Sequence, residues 1–256
     1  MNHQDEYTPI PENGDKLEAE FHYEQNKFLK WLDNYWYHYK WVTIIVAFFV
    51  TIAIVLIVQF VSKPKYDLTV VCGSPYRMNS EEHLAYEKLL EKFLPEDYDG
   101  DGEKSVNIIV YEIFSDAEYV EAKSEAEKNS AEFAINAKYN ADELQNFSQQ
   151  SMLGESYLFL VSEYLYNQLR SGDRVLPLSA LYPDGNVPAA ATEDGYGIRL
   201  AETDYYRFHP QSQCLPDDLV LCVLRKAEFN NSDKDMAKYD RAKALFHAIA
   251  DYEVKE

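Results

Sequence analysis

Between Trp41 and Val61 the chain runs for 21 residues, WVTIIVAFFVTIAIVLIVQFV, without a charged side chain, and only Thr43, Thr51 and Gln59 are polar. A helix rises about 1.5 Å per residue, so the run is about 31 Å long and matches a hydrocarbon layer of about 30 Å. The core helix of a soluble protein seldom runs so long without a polar face. A cleaved signal peptide fits no better, because the run begins some 40 residues in, exceeds the usual apolar length of about 7–15 residues and is followed by no small-residue cleavage site. The expectation is a retained single transmembrane helix over 41–62.

The flanks set the expected topology. Residues 1–40 read as a cytoplasmic tail that is acidic at first and aromatic next to the membrane. Asp5, Glu6, Glu12, Asp15, Glu18, Glu20 and Glu24 face one Lys16 over residues 1–26, a composition that buries too little to order itself. All three tryptophans, Trp31, Trp36 and Trp41, stand with Tyr35, Tyr37 and Tyr39 just before the span, where amphipathic rings sit at headgroup level. Lysines divide almost evenly across the span, so the large following domain decides: residues 63–256 are expected outside the cytoplasm, behind a very short connector from Ser62 to Lys65.

That domain alternates strand and helix. Tyr66–Cys72 is β-branched and apolar and ends in the turn Gly73-Ser74-Pro75. Asn79 or Ser80 caps a helix, with Glu82 at its third position if Asn79 is the cap, and Tyr86, Leu89, Leu90 and Phe93 share one face of it; Val106–Ile113 reads as a second, buried strand. Asp116–Asn129 is helical by propensity, while the following AEFAINAKY suits a strand or a broken helix equally. Asn140 with Glu143 starts a helix that Gly154 ends. Tyr157–Val161 is a short strand, and Ser162 caps a helix carrying Leu165 and Leu169. Tyr196–Leu200 and Asp218–Arg225 are further strands, and Lys238–Tyr252 closes the chain as a helix with Ala242, Leu245, Phe246 and Ile249 on one side. The fold class expected is α/β with a largely parallel sheet.

The order of these elements resembles one lobe of the type II extracytoplasmic solute-binding proteins. The resemblance is carried by the opening strand with its loop Leu68–Pro75, the strand VNIIVYEI, the step MLGESYLFLV, the segment RVLPLSALYP and YGIRL, and it covers about 60% of the chain. The segment YHYKW before the span also resembles single-span anchored proteins of Clostridia-like Gram-positive bacteria. The resemblance implies a membrane-anchored, non-enzymatic binding or sensing domain. It also implies that Gly73, Ser74, Pro75 and Tyr76 lie with Gly154, Glu155 and Ser156 at one sheet edge, holding a small polar solute with backbone N–H groups and a Tyr ring. The other class of partner is a protein of the cell envelope, docked on a domain without a small-molecule site.

Two further patterns bear on chemistry. Asp97, Asp99 and Asp101 with Gly100 and Gly102 form a D-x-D-x-D-G run, the opening of a calcium loop of EF-hand type. Position twelve is Ile108 where a bidentate Glu is needed, and Glu103 or Glu112 substitutes only if the loop departs from the EF-hand path, so a calcium site and a solvated acidic turn both remain open. Cys72, Cys214 and Cys222 are odd in number; Cys214 and Cys222 are near enough to close a loop, but Cys222 sits in the apolar run LVLCVL and reads as a buried small hydrophobe. The chain lacks G-x-S-x-G, S-x-x-K, H-E-x-x-H, P-loop and G-x-G-x-x-G motifs, so no enzyme is expected. With 24 Lys and Arg against 44 Asp and Glu, the net charge of −20 repels phosphate backbones and excludes nucleic acid as the expected partner.

Overall fold

A computed structural model of the chain describes residues 27–61, 65–98, 100–129, 135–227 and 232–254. The acidic leader over 1–26, connector residues 62–64, Asp99 of the acidic run and residues 131–134 of the ambiguous stretch lie outside the described residues. The chain forms two units, Met1–Lys63 and Pro64–Glu256.

The first unit contains α1 (Lys27–Val61), one continuous helix. It starts well before Trp41 because no Gly or Pro between Gly14 and Pro64 breaks it. Aromatic rings one turn apart also reinforce it: Trp31 stacks on Tyr35 with centroids 5.7 Å apart, and Tyr35 on Tyr39 at 5.4 Å. Phe28–Gln59 is long and apolar enough to cross a membrane, and its most apolar window is uncovered by protein. Three of its polar side chains find partners along the helix itself. Tyr35 and Thr43 share a hydrogen bond of 2.8 Å, and the Thr51 hydroxyl donates to the Ala47 carbonyl at 2.8 Å.

The second unit opens with β1 (Leu68–Ser74), α2 (Ser80–Phe93) and β2 (Val106–Glu112). The Asn79 side chain accepts from the Glu81 and Glu82 N–H groups while the Glu82 carboxylate accepts from the Asn79 N–H, a reciprocal capping box that makes Asn79, not Ser80, the cap. Then come α3 (Asp116–Lys128), α4 (Ala137–Leu153), β3 (Leu158–Val161) and α5 (Glu163–Ser171). Helix α3 buries none of its residues, since Tyr119 and Val120 are its only large apolar side chains. Helix α4 is capped by Asn136, not Asn140. Asn140 lies one turn inside, where its amide accepts from the Phe114 N–H and donates to the Phe114 carbonyl, both at 2.9 Å, tying α4 to the end of β2. Gly154 does end α4, in the left-handed conformation at φ 69° that favours glycine.

The chain finishes with α6 (Leu178–Leu181), β4 (Ile198–Arg199), a 3-10 turn (Leu200–Glu202), α7 (Asp204–Phe208), β5 (Val220–Val223) and α8 (Asp233–Ala250). Strand β4 is shorter than the expected Tyr196–Leu200. The Tyr196 and Gly197 N–H groups turn to the Thr192 hydroxyl instead of a strand partner, and Leu200 enters the 3-10 turn.

The sheet order is β2-β1-β3-β5-β4. Strand β1 runs parallel to β2 and β3, whereas β5 is antiparallel to both β3 and β4. Four strands therefore share one direction and β5 alone opposes them. The reason is local: the 3-10 turn and α7 bring the chain back beside the end of β4, where Arg199 pairs with Val220, and neighbours joined at the same end run antiparallel. Alternate side chains build two cores. Leu158, Leu160, Leu221 and Val223 face Tyr86, Leu89 and Leu90 of α2 and Leu245, Phe246 and Ile249 of α8. Val71, Phe159, Val161 and Cys222 face Phe147 of α4 and Leu165, Tyr166 and Leu169 of α5. The result is a helix–sheet–helix sandwich.

Candidate functional site

In open α/β sheets ligands collect outside the carboxyl ends of the strands. Val220 at the start of β5 is flanked by Val161 at the end of β3 and Arg199 at the end of β4. A cavity of about 370 Å³ opens there, bounded by Tyr166 and Asn167 of α5, the Thr192–Asp194 loop, Ala201 and Glu202 of the 3-10 turn, and Asp217 and Asp218 before β5. The wall is braced at Asp194. Its Oδ1 accepts from the Tyr166 hydroxyl at 2.7 Å and the Thr192 hydroxyl at 2.6 Å, and its Oδ2 accepts from Arg170 Nε at 2.7 Å. The Arg170 guanidinium in turn lies 3.2 Å from the centre of the Tyr196 ring. Gly197 has to be glycine, because an added Cβ would clash with Val220 and come within 3.0 Å of Tyr166, the two residues that form the floor.

The carboxyls around this cavity behave differently. Burial opposes ionisation of Asp194, but the hydrogen bonds from Thr192, Arg170 and Tyr166 prevail and hold it below its usual range. Asp218 is pushed up: burial is the main cause, the Glu118 and Glu163 carboxylates add to it, and backbone N–H groups at Asp218 and Glu163 only partly offset it. A carboxyl whose folded pKa exceeds its unfolded value costs stability once ionised. That cost is fully present above the raised value and fades as pH falls through it toward the ordinary carboxylate range. Asp218→Asn is therefore expected to melt above the wild type at pH 7, with the gap closing as the pH is lowered, in paired calorimetric scans.

Comparison with known protein families, curated proteins and solved structures finds no match for this chain.

The residues expected to form one ligand edge fall at opposite ends of the sheet. Gly73, Ser74, Pro75 and Tyr76 follow the carboxyl end of β1, while Gly154, Glu155 and Ser156 precede the amino end of β3. Because β3 is parallel to β1, the approach to β3 lies beside the start of β1: the Ser156 hydroxyl donates to the Thr69 carbonyl at 2.6 Å. The strand between them spans roughly 20 Å at about 3.3 Å per residue. The carboxyl-end group is also engaged. The Tyr76 hydroxyl donates to Glu82 at 2.7 Å, which pushes its pKa up to about 12, and Ser74 Oγ accepts from the Tyr76 N–H at 3.2 Å. Gly73 serves packing, since a Cβ there would meet Leu165 at 2.7 Å. Glu155 borders a small opening of about 70 Å³ with Lys238 and Arg241 at the amino end.

In the acidic run, Asp97 accepts from the Gly100 and Gly102 N–H groups at 2.8 Å each, and Asp101 from the Glu103 N–H at 2.9 Å. These carboxylates fold back onto their own backbone, with Gly100 and Gly102 at φ 76° and 96°. Among the described residues no three His, Cys, Asp or Glu side chains are grouped to hold a metal ion, and Asp99 lies outside them. The three cysteines are free thiols. Cys222 faces α4 and α5 while Cys214 packs against the opposite core, so the loop between them is not closed. Burial pushes the Cys72 thiol up to about 12.

The one signal of the cavity residues within a single stretch of sequence is the acidic pair Asp217-Asp218 immediately before an apolar strand.

Proposed function

We propose that this chain is a single-pass membrane protein whose α/β domain lies outside the cytoplasm and binds or senses a small polar solute, in the manner of a solute-binding-protein lobe. The observation that carries the reading is the cavity of about 370 Å³ at the carboxyl ends of β3 and β4. Its position is where open α/β sheets take ligands, and its size suits a small molecule. An envelope-docking domain without a ligand site would instead present strand ends filled by its own side chains. The anchor is supported by the apolar length of α1, by its uncovered surface and by the aromatic belt at Trp31–Trp41.

The test is a calorimetric melting screen of the full chain in nanodiscs against amino acids, sugars, amines and short peptides. A solute present at about 100 times its Kd adds about 2.7 kcal/mol, which for a domain of this size raises the melting temperature by roughly 5–10 °C. A panel in which no solute moves the transition by more than a degree would favour the envelope-docking class.

A further inference from the structure

The outer side of α4 changes character at its end. Phe147, Gln150 and Ser151 are buried on the inner side, while the outer side carries the exposed Asp142, Gln145, Asn146 and Gln149. One turn later that outer side presents Met152 and Leu153, 57% and 60% exposed. Among the described residues of the α/β unit they are the only adjacent pair of exposed large apolar side chains, and a helix side solvated by water gains nothing from them. The step that follows α4 fixes where they stand. The Ser156 hydroxyl donates to the Thr69 carbonyl beside the start of β1, and Glu155 lines one small opening with Tyr66, Lys238 and Arg241. Tyr66 is itself exposed, as is Lys65 before it. An apolar pair, an amphipathic ring and two lysines therefore gather at the amino end of the sheet. Chain length says what lies near that end. Val61 closes the apolar run and Tyr66 is five residues further on, a stretch that reaches at most roughly 18 Å. The headgroup layer outside the hydrocarbon is itself about 5–8 Å deep.

We propose that the amino end of the α/β unit docks on the phospholipid surface of the membrane that α1 crosses. Met152 and Leu153 enter the interfacial layer, the Tyr66 ring lies at headgroup level, and the lysine stems of Lys65 and Lys238 carry their charge toward the phosphates. The anchor makes this docking intramolecular, so a patch of three apolar side chains suffices where a free domain needs more. Apolar insertion carries it, not charge: Glu155 and the acidic run ahead of β2 stand at the same ends of the strands and repel anionic headgroups. The cavity at the opposite ends of β3 and β4 is left open to the aqueous phase. The proposal rests on the reading of α1 as a membrane span.

The test places a nitroxide label at Glu155→Cys, and separately at Glu193→Cys on the cavity rim, in a Cys214→Ser background of the full chain in phosphatidylcholine nanodiscs. Collisions with oxygen, which concentrates in lipid, and with neutral nickel ethylenediaminediacetate, which stays in water, report where each label sits. The ratio of oxygen to nickel collisions at 155 is expected to exceed that at 193 by at least about threefold, and Met152→Gln combined with Leu153→Gln is expected to bring it down to the value at 193. Both replaced side chains are exposed, so the melting transition of the double variant should match the wild type and show that it is folded. Phosphatidylglycerol in place of part of the phosphatidylcholine is expected to leave the ratio at 155 unchanged or to lower it. Equal ratios at the two sites, a ratio at 155 that survives in the double variant, or a rise with phosphatidylglycerol would overturn the proposal. A chain that does not enter nanodiscs at all overturns the anchor and the docking together, whereas a chain that enters them and gives equal ratios loses the docking alone.

Discussion

Lysines placed at Ile52 and Val55 are expected to remove the chain from the membrane. Both positions lie near the middle of the apolar run, on one side of α1 and far from either end, so a lysine stem there reaches an interface only with difficulty. Each lysine costs about 2.5–3.5 kcal/mol at the centre of a span, and each lost aliphatic residue removes about 0.3–0.6 kcal/mol, so the pair costs roughly 6–8 kcal/mol. Carbonate-washed membranes should retain the wild type and lose most of the double variant. The α/β unit carries its own two cores and is not expected to change. Retention of the variant at the wild-type level would mean that α1 is held by something other than hydrocarbon. Orientation is read separately in intact cells: a cysteine at the exposed Val187 should react with an impermeant maleimide, and reaction only after permeabilisation would place the domain in the cytoplasm.

Elements governed by local chemistry were legible before the structure. The Asn79–Glu82 box, the Gly154 stop and the inner face of α8 all follow from residues within a few positions of one another, and each falls where those residues put it. What was not legible depends on neighbours remote in sequence. Asn140 has the spacing of a cap, but the Phe114 backbone competes for its amide and the helix starts a turn earlier. The reversal of β5 depends on how the segment 200–219 returns, which no periodicity encodes. The two segments expected at one sheet edge lie apart for a related reason. Gly154-Glu155-Ser156 looks like any turn beside a strand, and only the parallel pairing of β1 with β3 shows that it approaches the amino end and not the carboxyl end. The acidic residues of the cavity come from α5, the Glu193 loop, the 3-10 turn and the step into β5, four separate stretches that one sequence does not join.

Phe159→Ala is expected to be the most damaging single change in the α/β domain. Phe159 is fully buried at the centre of the sheet, paired with Val71 on β1 and Cys222 on β5, and all three face the α4 and α5 layer. Its ring meets Phe147 edge-on with centroids 5.8 Å apart, and Phe147 meets Tyr111 in the same way at 5.8 Å. Truncation removes the ring from a place where the flanking strands cannot close, since their separation is set by backbone hydrogen bonds, and the void persists. Losses of this kind cost about 3–5 kcal/mol. In a domain of this size that lowers the melting temperature by roughly 6–20 °C, out of a total stability of only about 5–15 kcal/mol. Val120→Ala on α3, where the side chain is 66% exposed, serves as the control and should stay within about 0.5 kcal/mol. Phe147→Ala combined with Phe159→Ala should cost less than the sum of the two, because the partner ring is already missing when the second is cut away. Calorimetric melts of the wild type and the four variants decide the matter: a Phe159→Ala transition within a degree or two of wild type would mean that β3 does not anchor the α4 and α5 layer on which the cavity wall is built.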